Sequence, residues 1–333
     1  MKRALVLSGG GANGAFQFGA LKYIEEEVKP RIPDFHYNLI AGVSVGAING
    51  TMIAMDNFWR LDKIWNSPNL EKLIYHGKLE VLNVMMRLMS QQTSVLDNSP
   101  LLQLFRRYIH LDEIDPQRYD LRIGAVSLRS GSMVSFRPTD FDDEEMFRKA
   151  LLASTSIPIF WAPVPEVKTK TKTYYDLVDG GIRDTTPLGE IIGSQPDEVI
   201  IINCKSPKFS IEPKDHPYNS IFSIAYRSLV DIAMDEIFIN DLREFLSINE
   251  LVRQAKAQSP DIKLYHTSKS TGKKVELRQY QTILIEPNVM MGDIIDFSAK
   301  TIRSRIDMGY KAAKRAFAAY EGKLDGSFHS SNT

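Results

Sequence analysis

The stretch Leu39-Ile-Ala-Gly-Val-Ser-Val-Gly-Ala-Ile-Asn49 decides how this chain folds. An apolar run stops at a glycine-flanked serine and resumes as a helix of small residues. At its centre, Gly42-Val43-Ser44-Val45-Gly46 reads as a nucleophile elbow. A serine in a sharp strand-to-helix turn has its hydroxyl pushed out of the fold, and glycines two residues before and after it let the backbones pass without Cβ clashes. Ser44 is therefore the candidate nucleophile. Short Gly-Ser patterns also recur in ordinary loops, so the rest of the chain has to decide.

Upstream, Ala4 to Leu7 is a short apolar run that ends at Gly9-Gly10-Gly11, and Ala15 to Glu27 follows with helical spacing of its apolar residues. Pro30 and Pro33 then break the chain before the strand that leads to Ser44. Two successive strand–turn–helix units imply a parallel sheet with crossovers, whose loops share the carboxyl edge where ligands bind in open α/β sheets. The glycine loop, Gly9 to Gly14, is expected beside Ser44.

Downstream, residues 58–110 read as helical, with an apolar, methionine-rich stretch at Leu79–Met89. Core-facing amphipathic helices explain it; so does an acyl-chain pocket or lid, because Met side chains adapt to flexible apolar ligands. Leu121–Leu128 and Met133–Phe136 form a strand pair around a glycine turn, and the acidic run Asp140 to Glu145 starts a helix through Ala153, with carboxylates at the end the macrodipole favours. Capping accounts for that charge run without a metal. A hairpin over 162–178 delivers the chain to Asp179-Gly180-Gly181. Val199–Cys204 and Gln281–Glu286 read as buried strands, residues 219–257 as helical, and Met291–Tyr320 as a closing helix. Strands returning so late argue for a single α/β domain over residues 1–320, followed by a small, polar, disordered tail over 321–333.

Lys plus Arg equal Asp plus Glu at 41 each in 333 residues, so net charge gives no reason to expect nucleic acid. Cys204 is the single cysteine, which excludes an intrachain disulfide and a thiol metal cluster. The N-terminal apolar run is too short for a signal peptide, and no stretch approaches the roughly 18 apolar residues of a membrane span. Cytoplasmic location is the default expectation, with any membrane contact peripheral.

Taken together, Gly9 to Gly14, Gly42 to Gly46 and Asp179-Gly180-Gly181 resemble the motifs of the patatin-like phospholipases in order and approximate spacing. Ala153-Ser-Thr-Ser-Ile-Pro158 and the closing Met308-Gly-Tyr310 extend the resemblance to roughly residues 3 to 318. It implies a three-layer α/β/α fold with a mostly parallel sheet and a helical insertion after the nucleophile helix. It also implies a lipid acyl hydrolase of phospholipase A or lysophospholipase type, with Ser44 as nucleophile and Asp179 as the carboxylate taking its proton. Gly9, Gly10 and Gly11, with the amide of Val45, would form the oxyanion hole; Gly14, Gly42, Gly46, Gly180 and Gly181 support the motifs. A serine hydroxyl needs a neighbouring base to become nucleophilic, and preorganised amides stabilise the tetrahedral oxyanion. No metal or cofactor is implied, and the partner is a lipid or phospholipid ester. Two positions depart from the pattern: Asn13 stands where the family has Arg or Lys, and Thr185 where asparagine is frequent.

Other readings stay open on sequence grounds. Gly9-x-Gly11-x-x-Gly14 satisfies a dinucleotide-binding fingerprint with Asp34 twenty residues on, although Asp34 precedes the second strand instead of ending it. A Ser–Asp–His triad is the nearer rival, since His216, His266 and His329 follow Ser44 and Asp179 in the required order. A binding or regulatory protein without turnover is the third.

Overall fold

The computed structural model describes residues 1–76, 93–205, 221–267, 274–323 and 327–332. Strand β1 (Arg3–Leu7) leads through the glycine loop into α1 (Gly14–Tyr23), which continues as a π-helical turn over Ile24–Val28. Strand β2 (Leu39–Val43) and helix α2 (Val45–Ala54) repeat the unit around Ser44. Helices α3 (Phe58–Trp65), α4 (Leu70–Ile74) and α5 (Ser99–Tyr108) precede β3 (Asp120–Ser127) and β4 (Met133–Phe136). Helix α6 (Glu144–Ser154) then leads to the hairpin of β5 (Val164–Lys168) and β6 (Thr173–Asp179). Helix α7 (Leu188–Ile192), β7 (Glu198–Ile202), α8 (Ile221–Tyr226), a π-helical stretch over Arg227–Ala233 and the long α9 (Met234–Gln258) come next. The chain closes with β8 (Leu264–Thr267), β9 (Lys274–Leu277), β10 (Gln281–Ile285), α10 (Ala299–Ala316) and β11 (Phe328–Ser330).

Apart from the β8–β9 pair, these strands make one sheet in the order β11-β10-β7-β1-β2-β3-β6-β5, with β4 also on β3. Pairings from β11 through β3 are parallel, and those of β4, β5 and β6 are antiparallel. Alternation along the central strands sets the layers. Leu5, Leu7, Ile40, Ile200 and Ile202 face the core shared with α1, α2, α6 and α10. Ala4, Val6, Leu39, Ala41, Val199 and Ile201 face a second core with α7 and α9, through Leu188, Ile191, Phe238 and Leu242. Both faces are covered, which is why these strands read as continuous apolar runs. The result is the three-layer α/β/α architecture with a mostly parallel sheet.

Register fixes the site. Leu7 pairs with both Gly42 and Ile202, so the loops leaving β1, β2 and β7 emerge side by side. Strand β6 runs the other way, and Asp179 at its end pairs with Ala125, one residue past the Gly124 that faces Val43.

Two sequence expectations give way. The end of the chain is not a free tail: β11 adds to the sheet in parallel beside β10, the Ser331 N–H donates to the Leu284 carbonyl, and the Ser331 hydroxyl exchanges hydrogen bonds with the Glu286 backbone. A three-residue edge strand held by backbone and hydroxyl groups leaves no apolar alternation to read. The closing helix starts at Ala299 and not Met291, because residues 291–296 form an irregular loop wrapped around the guanidinium of Arg305. The methionine-rich stretch Leu79–Met89 and His216 lie outside the described residues.

Candidate active site

Ser44 sits between β2 and α2 with φ 57° and ψ −128°, a backbone conformation that costs a non-glycine residue energy and persists where surrounding structure imposes it. The imposition is visible. A Cβ on Gly46 would lie 2.3 Å from the Leu7 carbonyl oxygen, and one on Gly42 would lie 2.4 Å from that of Gly46, so helix α2 rests directly on the strand backbones. The Ser44 N–H donates to Ser154 Oγ at 2.9 Å, and the Asp179 N–H donates to the Ser156 carbonyl at 3.0 Å. One stretch, Ser154 to Ser156, thus anchors both residues.

Asp179 is fully buried and Ser44 is 4% exposed. The Gly181 N–H donates to Asp179 Oδ1 at 2.7 Å, whereas Oδ2 has no hydrogen-bond partner. Burial pushes the Asp179 carboxyl up to about 7, against the opposing influence of the Ser44 hydroxyl and the Gly181 amide. The hydroxyl and the carboxyl interact without a hydrogen bond of ordinary length and angle between them. A carboxylate titrating near neutral pH, with one oxygen unclaimed beside a serine, has the properties of a general base.

The glycine loop is not uniform. The Gly9 N–H donates to the Thr185 carbonyl at 2.9 Å and the Ala12 N–H to the Ile294 carbonyl at 2.7 Å. Between these ties, no acceptor among the described residues takes the amides of Gly10 and Gly11. Val45 opens helix α2, where a first-turn N–H has no partner within the helix. Gly11 has φ +53°, and a Cβ there would lie 2.4 Å from the Ile294 oxygen, so the loop follows this path only with glycine. Gly14 starts α1 and leaves room for Val45, whose Cγ2 a Cβ would approach to 2.2 Å.

Both departures from the family pattern have a place here. Asn13 is buried with its Oδ1 unpartnered; a lysine or arginine buried there would need a counter-charge. Thr185 Oγ1 donates to the Gly181 carbonyl at 3.0 Å, and the Thr185 N–H donates to Asp241 Oδ2 at 3.2 Å. Burial and the neighbouring Asp241 raise Asp184, whereas burial raises Asp241 against the hydrogen bonds it receives from the Thr185 and Thr186 amides and from Asp184.

Sequence reasoning missed Arg305. Its side chain is 1% exposed and donates to the carbonyls of Met291, Asp293 and Asp296 at 2.7, 2.9 and 3.0 Å. It thereby holds the loop whose Ile294 carbonyl ties Ala12. An arginine inside an amphipathic helix ordinarily faces water, so only the absence of a nearby sequence partner hints at it. Of the candidate histidines, the two among the described residues lie on other elements: His266 is exposed on β8, and His329 on β11 bonds Ser327. Asp34 is exposed ahead of β2, away from its carboxyl end. Buried Cys204 has its thiol pushed up to about 12 by burial. No cluster of metal-ligating side chains occurs among the described residues.

An apolar cavity opens beside Ser44, about 560 Å³ including its mouth, walled by Val45, Ile48, Leu104, Ile157, Trp161 and Phe297 among others. Its lining suits an acyl chain and offers almost nothing to a polar ligand.

A family model described as patatin-like phospholipase matches residues 5–192, more than half of the chain and including Ser44 and Asp179. The chain belongs to the patatin-like phospholipase family. A crystal structure of VipD from Legionella pneumophila is similar at 14% identity with a TM-score of 0.46, over 93% of this chain and 65% of that one. A search of curated proteins by sequence gives no match. No helix among the described residues is long and apolar enough to cross a membrane.

Proposed function

We propose that the protein cleaves carboxylic esters of lipids, in the manner of a phospholipase A or lysophospholipase, through a dyad of Ser44 and Asp179. The observation that carries this reading is the buried Asp179 carboxyl, one oxygen bound to Gly181 and the other unclaimed beside a strained serine. Ser44 Oγ attacks the acyl carbonyl carbon while its proton passes to Asp179. The amides of Gly10, Gly11 and Val45 receive the oxyanion; the Gly9 amide, bound to Thr185, fixes the loop instead. Asp179 returns the proton to the leaving alkoxide as the tetrahedral intermediate collapses to acyl-Ser44. Water then attacks acyl-Ser44 as Asp179 takes its proton; the second tetrahedral intermediate collapses with cleavage of the acyl–Oγ bond, Asp179 returns the proton to Ser44 Oγ, and the acyl group leaves as the carboxylic acid. The mechanism uses no metal ion. The acyl chain lies in the cavity beside Ser44, and the substrate is reached by peripheral contact with a membrane or micelle.

Ser44→Ala and Asp179→Asn are each expected to abolish ester hydrolysis with the fold intact, and a fluorophosphonate to label Ser44 alone. Labelling that persists in Ser44→Ala sinks the dyad. Loss of hydrolysis in His266→Ala or His329→Ala, with folding intact, would bring back the triad.

A further inference from the structure

The cavity beside Ser44 has a neighbour. A second cavity, about 650 Å³ including its mouth, lies at the start of α10, lined by Asn66, Ser67, Pro68, Ala299, Ile302 and Arg303. Three residues, Trp65, Leu70 and Phe297, line both cavities and therefore form the partition between them. The partition is apolar and its members are 3–7% exposed. Trp65 is fixed, its indole N–H donating to Asn49 Oδ1 at 3.0 Å. Leu70 opens a five-residue helix, and Phe297 lies in the loop just before α10 with its ring edge-on to Tyr75. Beyond the partition the lining changes character: Ile302 and Phe297 continue the apolar wall, while Asn66, Ser67 and Arg303 meet water.

A polymethylene chain that starts at an ester on Ser44 and fills the first cavity runs against this partition. We propose that the second cavity is a distal subsite for the end of a long acyl chain, and that Leu70 and Phe297 are the gate setting how long a chain is accepted. The proposal rests on Ser44 being the acylated residue and deepens that reading to a substrate class, esters of long-chain fatty acids. Short acyl groups end before the gate and gain nothing from the second cavity. Long ones bury their last methylenes against Pro68 and Ile302, each worth about fourfold in binding.

The test fills the second cavity without touching the first. Ala299 is exposed at the first position of α10, so Ala299→Trp is tolerated by the fold while its ring occupies the distal space. The ratio of kcat/KM for palmitoyl over butyryl p-nitrophenyl ester is expected to fall about tenfold or more in Ala299→Trp. The ratio rises in Phe297→Ala, where the gate is opened. Calorimetric binding of palmitate and octanoate to the Ser44→Ala protein makes the same comparison without turnover: adding Ala299→Trp weakens palmitate about tenfold more than octanoate. If Ala299→Trp keeps the wild-type ratio and the Ser44→Ala affinity for palmitate, the subsite is overturned. A wild-type protein that cleaves no ester but loses palmitate affinity through Ala299→Trp keeps the subsite and sinks the hydrolase reading instead.

Discussion

Residues 5–192 and the residues beyond them do different work at the same site. The first region carries every group proposed to react: the loop amides, Ser44, Asp179 and the Ser154–Ser156 anchor. The second carries none, yet it holds residues that flank them. Ile294 holds Ala12, and Arg305 holds the loop of Ile294. Met234 lies against Gly181, where a Cβ would meet its Cε at 2.9 Å, and Asp241 receives the Thr185 amide. Phe297 supplies a wall of the acyl cavity. The difference teaches that chemistry and placement are separable here: one region can be recognised by motif, while the other acts through backbone carbonyls and packing that leave no motif.

The largest effect should come from the first region. Ser44→Ala should lower turnover of a lipid ester by roughly 10⁴-fold or more, read in a steady-state assay, with an unchanged unfolding transition.

The comparison is broken or kept by Arg305. Removing its guanidinium in Arg305→Met strands three buried carbonyls, at about 1–3 kcal/mol for each that finds no water. A midpoint shift in urea checks the stability loss. If the second region only completes the core, kcat per folded molecule stays at the wild-type value. If it holds the oxyanion loop, kcat falls in molecules that are still folded while KM changes little, and Arg305→Lys recovers part of the loss.

The Asp179 carboxyl gives a pH signature of intermediate size. Its folded-state value of about 7 lies above the ordinary 3.8, so the folded protein binds a proton that the unfolded chain has released. This group's contribution to stability is therefore complete below the ordinary value and lost as pH rises to about 7. Asp179→Asn should remove that loss and be more stable than wild type at alkaline pH by a few kcal/mol, on the order of 1.4 kcal/mol for every pH interval of one between the ordinary and the folded-state values. In the wild type kcat/KM should rise with pH through about 7 as the base ionises. A profile flat across neutral pH contradicts the assignment.

The smallest effect tests the anchor inside the first region. Ser154→Ala leaves the Ser44 amide without its acceptor, an expected loss of about 1–3 kcal/mol divided between stability and kcat. Thermal unfolding and steady-state kinetics together apportion it.

How much of this was legible in the sequence varies element by element. The strand expected over Tyr37 to Val43 forms from Leu39 on, and the turn at Ser44 and the hairpin before Asp179 stand where periodicity and glycines put them, since each is specified by neighbours a few residues away. The β11 edge strand, the late start of α10 and the burial of Arg305 were not legible, because each depends on partners far along the chain. Even within the glycine loop, three consecutive glycines look equivalent, and only Thr185 distinguishes Gly9 from the two that follow.

The sequence by itself determined the layered α/β class, the elbow at Ser44 and the order of the three motif loops, because strand alternation, helical spacing and glycine turns are local properties of a chain. Only the tertiary structure decided that β6 arrives antiparallel and sets Asp179 beside Ser44, that Arg305 turns inward, and that two cavities share one wall. Those outcomes belong to packing, where a carbonyl or a ring finds its partner through space and not along the sequence.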